Sequence, residues 1–390
     1  MTGPKYTLIA QPAELAPLLE TLKGFNEVYV DMEADSMHHY REKVCLLQLS
    51  LVTGEGVDEP ANYLVDPLAG VELAELFAVL QDKLLIFHGA DYDLRMFRQG
   101  YGFVPDRMFD TMLAARLMNH PALGFDALVQ RYAGVALDHA PQKADWAQRP
   151  LPQRMLDYAA NDTRYLPRVT QRLRKELADA GRSGWHVQQC AQLVRNIAQA
   201  PASKSGDAWR VKGSSGLDRE CLAILRELWK WRDAEAAEWD RPPFMVCSAE
   251  RLVEWALWGQ SCRGASPARL PGISPRWRPQ RMRHLEEAMQ RAWTLPESEW
   301  PQPVPRPRRP RPTPDFSWRM DRLREARDAR ARQLGLEPSI LASNALLAAV
   351  AVRCPRSKQD FEDLERWLPW QTETLGEAFI EAIVERKAGD

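Results

Sequence analysis

Apolar residues follow two rhythms along the 390-residue chain, and the change of rhythm divides it. In the first 200 residues short apolar runs predict strands. Asn26–Ala34 (NEVYVDMEA) reads as a strand ending in acid, Val44–Val52 (VCLLQLSLV) as a second, and Tyr63–Leu68 as a third. Leu84–His88 (LLIFH) is apolar up to its histidine, as a strand covered on both faces is. Helical spacing follows at Asp93–Gln99, Thr111–Met118, Phe125–Ala133 and Pro152–Ala180. Strands with helices interleaved after them predict an α/β domain with a mixed sheet over residues 1–200.

Beyond residue 200 only the helical period remains. Leu222, Leu225, Leu228 and Trp229 form a core stripe, and a second helix follows the break at Pro242 and Pro243. Asp321–Ala349 repeats the theme of basic helix, break and apolar helix. The repeat is about 75 residues long and occurs twice, which is too long and too few for a solenoid.

Composition sharpens the boundary. Twelve of the 14 tryptophans and 18 of the 29 prolines lie beyond residue 200. Ser203–Gly216 (SKSGDAWRVKGSSG) has the composition of a flexible linker. Residues 296–314 hold eight prolines and four arginines and read as an extended spacer. The expected domains are therefore 1–200, 213–292 and 317–390, with a Pro/Arg-rich linker at 293–316.

Net charge is -1, but residues 1–200 carry -5 and the remainder +4. The acidic part is suited to metal ions and the basic part to phosphates; ordinary surface scatter is the bland alternative. No run of 18 apolar residues exists and no secretory signal is visible at Met1–Ala10. The six cysteines form no C-x-x-C pair. A disulfide framework, a thiolate zinc site and a membrane partner are not suggested, and a cytoplasmic location is expected.

The acids suggest chemistry. Asp31 and Glu33 stand at i and i+2 on a strand, so their carboxylates share one face. Asp93 opens a helix directly after the apolar strand, where α/β sheets place ligand groups. Tyr158 and Asp162, in YAAND, share a helical face. Alone, each pair is more often surface decoration. Together, in order, inside one α/β domain, they imply carboxylates that would repel unless a cation neutralised them. Two hard divalent ions, Mg²⁺ or Mn²⁺, are the expected cofactors, and a pair of them suits in-line phosphoryl transfer.

VYVDMEAD, then FHGADYDLRMF with FDTMLAARL, then LDYAANDTRYL, resemble the three motifs of the tyrosine-bearing DEDD exonucleases. The resemblance covers about residues 7–180 and is greatest to ribonuclease D and its exosome-associated relatives, with the Werner exonuclease domain more distant. It implies a ribonuclease H-like fold and 3′-to-5′ release of nucleoside monophosphates by two-metal hydrolysis. It also implies roles. Asp31 would bridge both ions, Glu33 and Asp162 would complete the site of the ion holding the attacking water, and Asp93 would support the second. Tyr158 would orient that water, since a phenol is a poor base at neutral pH. Asp93 rather than Asp91 matches the family acid, because it precedes Leu94; Asp91 is left to cap the helix.

Further substrate contacts are expected from QKADWAQRPL: Lys143 and Arg149 toward phosphates, with Trp146 packed beneath them. Trp146 is expected as core more than as a stacking platform. His88 lies at the strand end as a structural hydrogen-bonder beside the substrate. His38 and His39 read as solvated loop residues, and Met32 should face away from the acids. The family's bulky apolar wedge after the second acid is replaced here by Ala34.

Both helical repeats resemble the HRDC domain, a module that grips nucleic acid or protein. Arg276, Arg278, Arg281, Arg283, Arg322, Arg324, Arg327 and Arg330 are candidate phosphate contacts, or a solvated face balanced by acids. The resulting expectation is an exoribonuclease trimming 3′ ends of structured RNA such as precursor tRNA. A DNA exonuclease of the Werner type and a non-catalytic RNA-binding scaffold are the alternatives.

Overall fold

The computed structural model describes residues 5–54, 56–138, 140–200, 206–274, 277–304 and 314–384. They form two compact units, one of residues 1–34, 44–200 and 310–390, the other of residues 35–43 and 201–309.

The first unit is built on a six-stranded sheet in the order β1-β4-β3-β2-β5-β6. Its strands are β1 (Thr7–Ile9), β2 (Glu27–Ala34), β3 (Val44–Leu51), β4 (Ala61–Val65), β5 (Leu84–Phe87) and β6 (Arg107–Asp110). The β2–β3 and β3–β4 pairs are antiparallel; β1–β4, β2–β5 and β5–β6 are parallel. The sheet is thus mixed, and its central strand β3 is buried along its whole length. Helices α1 (Pro12–Lys23), α2 (Ala74–Leu80), α3 (Asp91–Tyr101), α4 (Thr111–Leu117), α5 (Phe125–Ala133), α6 (Gln153–Arg164), α7 (Leu166–Asp179) and α8 (Ser183–Gln199) complete the α/β part.

Strand alternation sorts β2 between two cores. Val28, Val30 and Met32 enter one hydrophobic cluster, with Leu47 and Leu49 of β3. Tyr29, Asp31 and Glu33 take the other face, over which α6 packs. Ala159 and Ala160 are fully buried, and their small side chains let α6 lie close to the strands.

The helix expected over 152–180 is two helices. The chain turns at Tyr165, and Pro167 stands in the first turn of α7. Proline has no N–H to continue the ladder from α6 but suits the start of a new helix. Both β1 and β6 were too short to leave a periodic signal.

The second unit holds α9 (Arg219–Trp239), α10 (Pro243–Val246), α11 (Ala249–Ser261) and α12 (Pro279–Thr294). Its core contains Leu222, Leu225 and Leu228 with Trp209. Trp209 corrects the linker expectation for Ser203–Gly216. Residues 206–216 are packed turns, with Trp209 and Ser214 buried, because one large aromatic anchor outweighs the Ser/Gly composition. Residues 203–205 of that stretch lie outside the described residues.

The segment 35–43 belongs to this unit. His39 Nδ1 lies 2.6 Å from Asp240 and the Tyr40 hydroxyl donates to Asp233 at 2.8 Å. His39 is therefore tied down rather than solvated.

The remaining helices, α13 (Pro314–Leu334), α14 (Pro338–Leu341), α15 (Asn344–Arg353) and α16 (Pro369–Val384), form a third cluster within the first unit. Trp185 of α8 stacks on Trp370 of α16 with ring centroids 4.3 Å apart. Arg182 donates both to the Leu117 carbonyl at 2.8 Å and to the Leu334 carbonyl at 2.7 Å.

Most of the candidate phosphate-binding arginines are otherwise engaged. Arg281 is buried, lies 3.8 Å from the Trp277 ring centroid and donates to the Val246 carbonyl. Arg322 and Arg324 pair with Glu325 and Asp321 along their own helix, a balanced solvated face, while Arg327 is largely covered, pairs with Asp328 and donates to the Ala342 carbonyl. Arg330 donates to Gln333, and Arg276 lies outside the described residues. No helix among the described residues is long and apolar enough to cross a membrane.

Candidate active site

The acid-bearing face of β2, the start of α3 and one face of α6 meet. Ligand oxygens of Asp31, Glu33 and Asp162 all lie within 4.8 Å of one another. Asp93 is buried and close enough to Asp31 and Asp110 for their charges to act on it. Asp31, Glu33, Tyr158 and Asp162 line one cleft of about 200 Å³. His88, Phe125, Gln142 and Leu166 also line it.

The electrostatics are those of charges without a counter-ion. Burial pushes the Asp31 carboxyl up to about 7. Glu33, Asp93 and Asp162 are each raised well above the usual carboxylate range, first by burial and then by neighbouring acids, Asp31 in every case. None of the four forms an ion pair with Lys, Arg or His among the described residues. Buried like charges in this density call for a cation, and an all-oxygen donor set selects a hard one. The residues present therefore fit divalent metal ions.

Tyr158 is hydrogen-bonded to Asp162, one turn away. Burial and then the charge of Asp162 raise the phenol far above its ordinary value, so it remains a neutral O–H. That suits it to orient a water and unsuits it as a base.

The turn that delivers Asp93 is built by two residues. Gly89 has φ +76°, and a Cβ there would stand 2.9 Å from the Met112 side chain. Asp110 accepts from the Gly89 and Ala90 N–H groups at 3.2 and 2.8 Å, and from Met112 and Leu113 at 2.8 and 3.1 Å. One buried carboxylate thus fixes the β5–α3 turn and caps α4. The sequence reading missed this; its signal is the Asp-Thr pair between strand and helix in FDTM. Gln142, Phe125 and Leu166 were also missed, because loop and helix residues that wall a cleft carry no spacing signature.

Asp91 does not cap the helix. It is the first helical residue, and it pairs with Arg95 at 2.6 Å. His88 Nδ1 lies 2.9 Å from Thr111 Oγ1, so the ring is held at the edge of the cleft. Trp146 is 1% exposed and sits beside Tyr158, ring centroids 6.0 Å apart. Arg149 donates to both Asp66 oxygens at 2.7 and 2.6 Å and to the carbonyls of Cys45, Trp146 and Gln148. The structure places it as a bracket between β3 and the loop before α6. Lys143 is exposed, next in sequence to Gln142. Met32 faces the opposite core, and Ala34 packs against that core.

Two acids on a mixed sheet, joined by a third at the start of α3 and by an acid and a tyrosine on α6, make the site of a 3′-5′ exonuclease of the class whose family model this chain matches. The model of the 3′-5′ exonuclease family matches residues 6–178, and that of the HRDC domain matches residues 222–257 and 317–383. Ribonuclease D of Escherichia coli is 31% identical over 309 residues, 77% of this chain and 78% of that protein. Ribonuclease D of Pseudomonas paraeruginosa is 28% identical over 389 residues, 98% and 99% of the two chains. The solved structure of the E. coli enzyme, described as an exoribonuclease involved in structured RNA processing, matches with a TM-score of 0.70 and 25% identity. That match covers 97% of this chain and 98% of that one. The chain belongs to the ribonuclease D family and is a 3′-5′ exoribonuclease; the DNA-exonuclease alternative is not favoured.

Proposed function

We propose that this exoribonuclease trims the 3′ ends of structured RNA, precursor tRNA among them, releasing nucleoside 5′-monophosphates in the cytoplasm. Asp31, Glu33, Asp93 and Asp162 would hold two Mg²⁺ or Mn²⁺ ions. The observation that carries this reading is the cluster of Asp31, Glu33 and Asp162, with Asp93 beside Asp31, which no cationic side chain among the described residues neutralises. The ions would supply neutralisation of the scissile phosphate and acidification of a water.

The protein's own groups do the rest. Tyr158, kept as a neutral phenol whose O–H is given to Asp162, accepts from the attacking water and holds it in line. Phe125 and Leu166 provide the apolar wall against which the terminal base rests, in place of the wedge that Ala34 lacks. His88 borders the terminal ribose. A second cleft of about 340 Å³, sharing Tyr158 and Asp162 and including Arg154 and Asn161, receives the preceding nucleotide. Lys143 meets phosphate at the rim. The structured-RNA substrate is supported by the likeness to the E. coli enzyme over nearly the whole chain.

The test is a time course on 5′-labelled RNA with Mg²⁺, Mn²⁺ or EDTA, beside matching DNA and the Asp31→Ala variant. A metal-dependent ladder from the 3′ end, faster on RNA and absent in the variant, is expected. Precursor tRNA with a 3′ extension should be shortened to a discrete product. Equal rates on DNA, or cleavage in EDTA, would overturn the reading.

A further inference from the structure

Gln48 is fully buried at the middle of β3, and neither atom of its side-chain amide has a hydrogen-bond partner. Leaving a buried amide unpaired is costly, because each group gives up its bonds to water and gains none in return. Such a residue needs an explanation, and its position offers one.

In the antiparallel β2–β3 pair Gln48 lies directly opposite Asp31. Side chains so paired stand on the same face of the sheet, with Cβ atoms about 4.5–5.5 Å apart. Gln48 therefore rises from the sheet beside Asp31, on the face that also carries Glu33. On its other side it is paired with Leu64 of β4. Leu64 packs in one cluster with Trp146. The indole Nε1–H of Trp146 is buried and also without a partner.

Three orphaned polar atoms thus belong to two buried residues: a donor on Trp146, and an acceptor and a donor on Gln48, the residue opposite Asp31. We propose that Gln48 is a positioning residue for Asp31. Unpaired in this structure, the amide would turn when a cation is held, its Nε2–H donating to the Asp31 carboxylate and its Oε1 accepting from Trp146 Nε1–H. That bond would hold the Asp31 carboxylate in one orientation for a cation, and Trp146 would fix which way the amide faces. This orientation also explains a fully buried tryptophan below the catalytic tyrosine in a segment otherwise suited to substrate. Ligating carboxylates are held by such outer hydrogen bonds, whose loss costs roughly 10–100-fold in metal affinity or activity. The proposal rests on the reading of the acids as metal ligands.

The test uses the full chain and Gln48→Met, which keeps the length and apolar volume of the side chain and removes its hydrogen bonding. Mn²⁺ affinity is measured by calorimetry, the metal-free melting temperature by calorimetric scan, and kcat and KM on a single-stranded RNA. The expected result is a melting temperature unchanged or raised, Mn²⁺ affinity down about 10-fold or more, and kcat down with KM little altered. Trp146→Phe should give a smaller loss of the same kind, and the double variant should be no worse than Gln48→Met alone. Wild-type Mn²⁺ affinity and kcat in Gln48→Met, or additive losses in the double variant, would overturn the proposal. Were Gln48→Met to unfold, a Trp146→Phe chain with wild-type Mn²⁺ affinity would overturn it equally. A wild-type protein that bound no Mn²⁺ would instead defeat the metal-site reading itself, so the two failures are distinguishable.

Discussion

Asp110 holds the Ala90 N–H at 2.8 Å, and through it the turn that places Asp93 against Asp31. The candidate metal-binding acids on β2 are held by the sheet, whereas the turn that carries Asp93 is held by this one carboxylate. Asp110→Ala would orphan four backbone N–H groups, two of them at the start of α4. The expected cost is about 2–4 kcal/mol, from a lost cap and an unpaired buried donor. Urea unfolding checks the stability, and Mn²⁺ titration of the folded variant should show weakened binding. Wild-type stability would mean that water satisfies the turn.

The raised acids give a pH dependence in the metal-free protein. Asp31 holds its proton to about pH 7 in the fold, while the unfolded chain releases it near pH 4. The folded state therefore binds more protons between these values, and stability falls as pH rises through that window. Below about pH 4 the penalty is absent; above about pH 7 it is complete. In EDTA the melting temperature should be higher at pH 5 than at pH 8. Asp31→Asn should raise the pH 8 value by roughly 2–4 °C for each kcal/mol relieved, while abolishing cleavage. Saturating Mn²⁺ should stabilise the wild type and not the variant. A flat melting temperature in EDTA would show that the acids are solvated.

Tyr158→Phe separates positioning from binding. The ring stays against Trp146, and only the hydrogen bond to Asp162 and to water is lost. A decrease of kcat by about 10²-fold or more, with KM little changed, is expected for a group acting on the attacking water. Steady-state kinetics on a single-stranded RNA measure it. Wild-type turnover would remove Tyr158 from the reaction.

Arg149 should behave as a structural residue. Its guanidinium binds both oxygens of Asp66, which is 5% exposed, and three carbonyls. Arg149→Gln should cost about 1–3 kcal/mol, and Arg149→Lys should not recover it, because an ammonium cannot span two carboxylate oxygens and three carbonyls. RNA affinity per folded molecule should be unchanged. A loss of affinity without loss of stability would return Arg149 to the substrate.

The parts of the site carried by periodic elements were legible from sequence. Asp31 and Glu33 share a face because strands alternate, and Tyr158 and Asp162 because helices turn in 3.6 residues. The start of the helix after the apolar strand pointed to the Asp91/Asp93 pair, and the family resemblance chose Asp93 within it. Residues that act through contacts with distant positions were not legible. Arg149 reads as a phosphate ligand until Asp66, 83 positions earlier, is found beside it. Arg281 reads as a phosphate contact or a solvated residue until its bond to the Val246 carbonyl, 35 positions earlier, is found. Long-range pairing decides the use of a cationic side chain, and composition does not encode it. The same limit hid the attachment of the last helices, since a domain boundary inferred from a Pro/Arg-rich stretch says nothing about what packs after it.

That attachment supports a final prediction. Trp370 is 1% exposed and stacks on Trp185, whose helix packs on the exonuclease sheet through α8 and β6. Ile340 of α14 packs against the core shared by Ile86 and Leu128. The helices after residue 314 therefore cover apolar surface of the exonuclease part. Trp370→Ala should destabilise this unit by about 3–5 kcal/mol, the range for truncating a buried large aromatic. Trp370→Phe should recover part of that by restoring a ring against Trp185. Urea unfolding followed by far-ultraviolet circular dichroism reads both. A Trp370→Ala protein with wild-type stability would show that the last helices form an independent module, and removal of residues 314–390 would then leave a stable exonuclease.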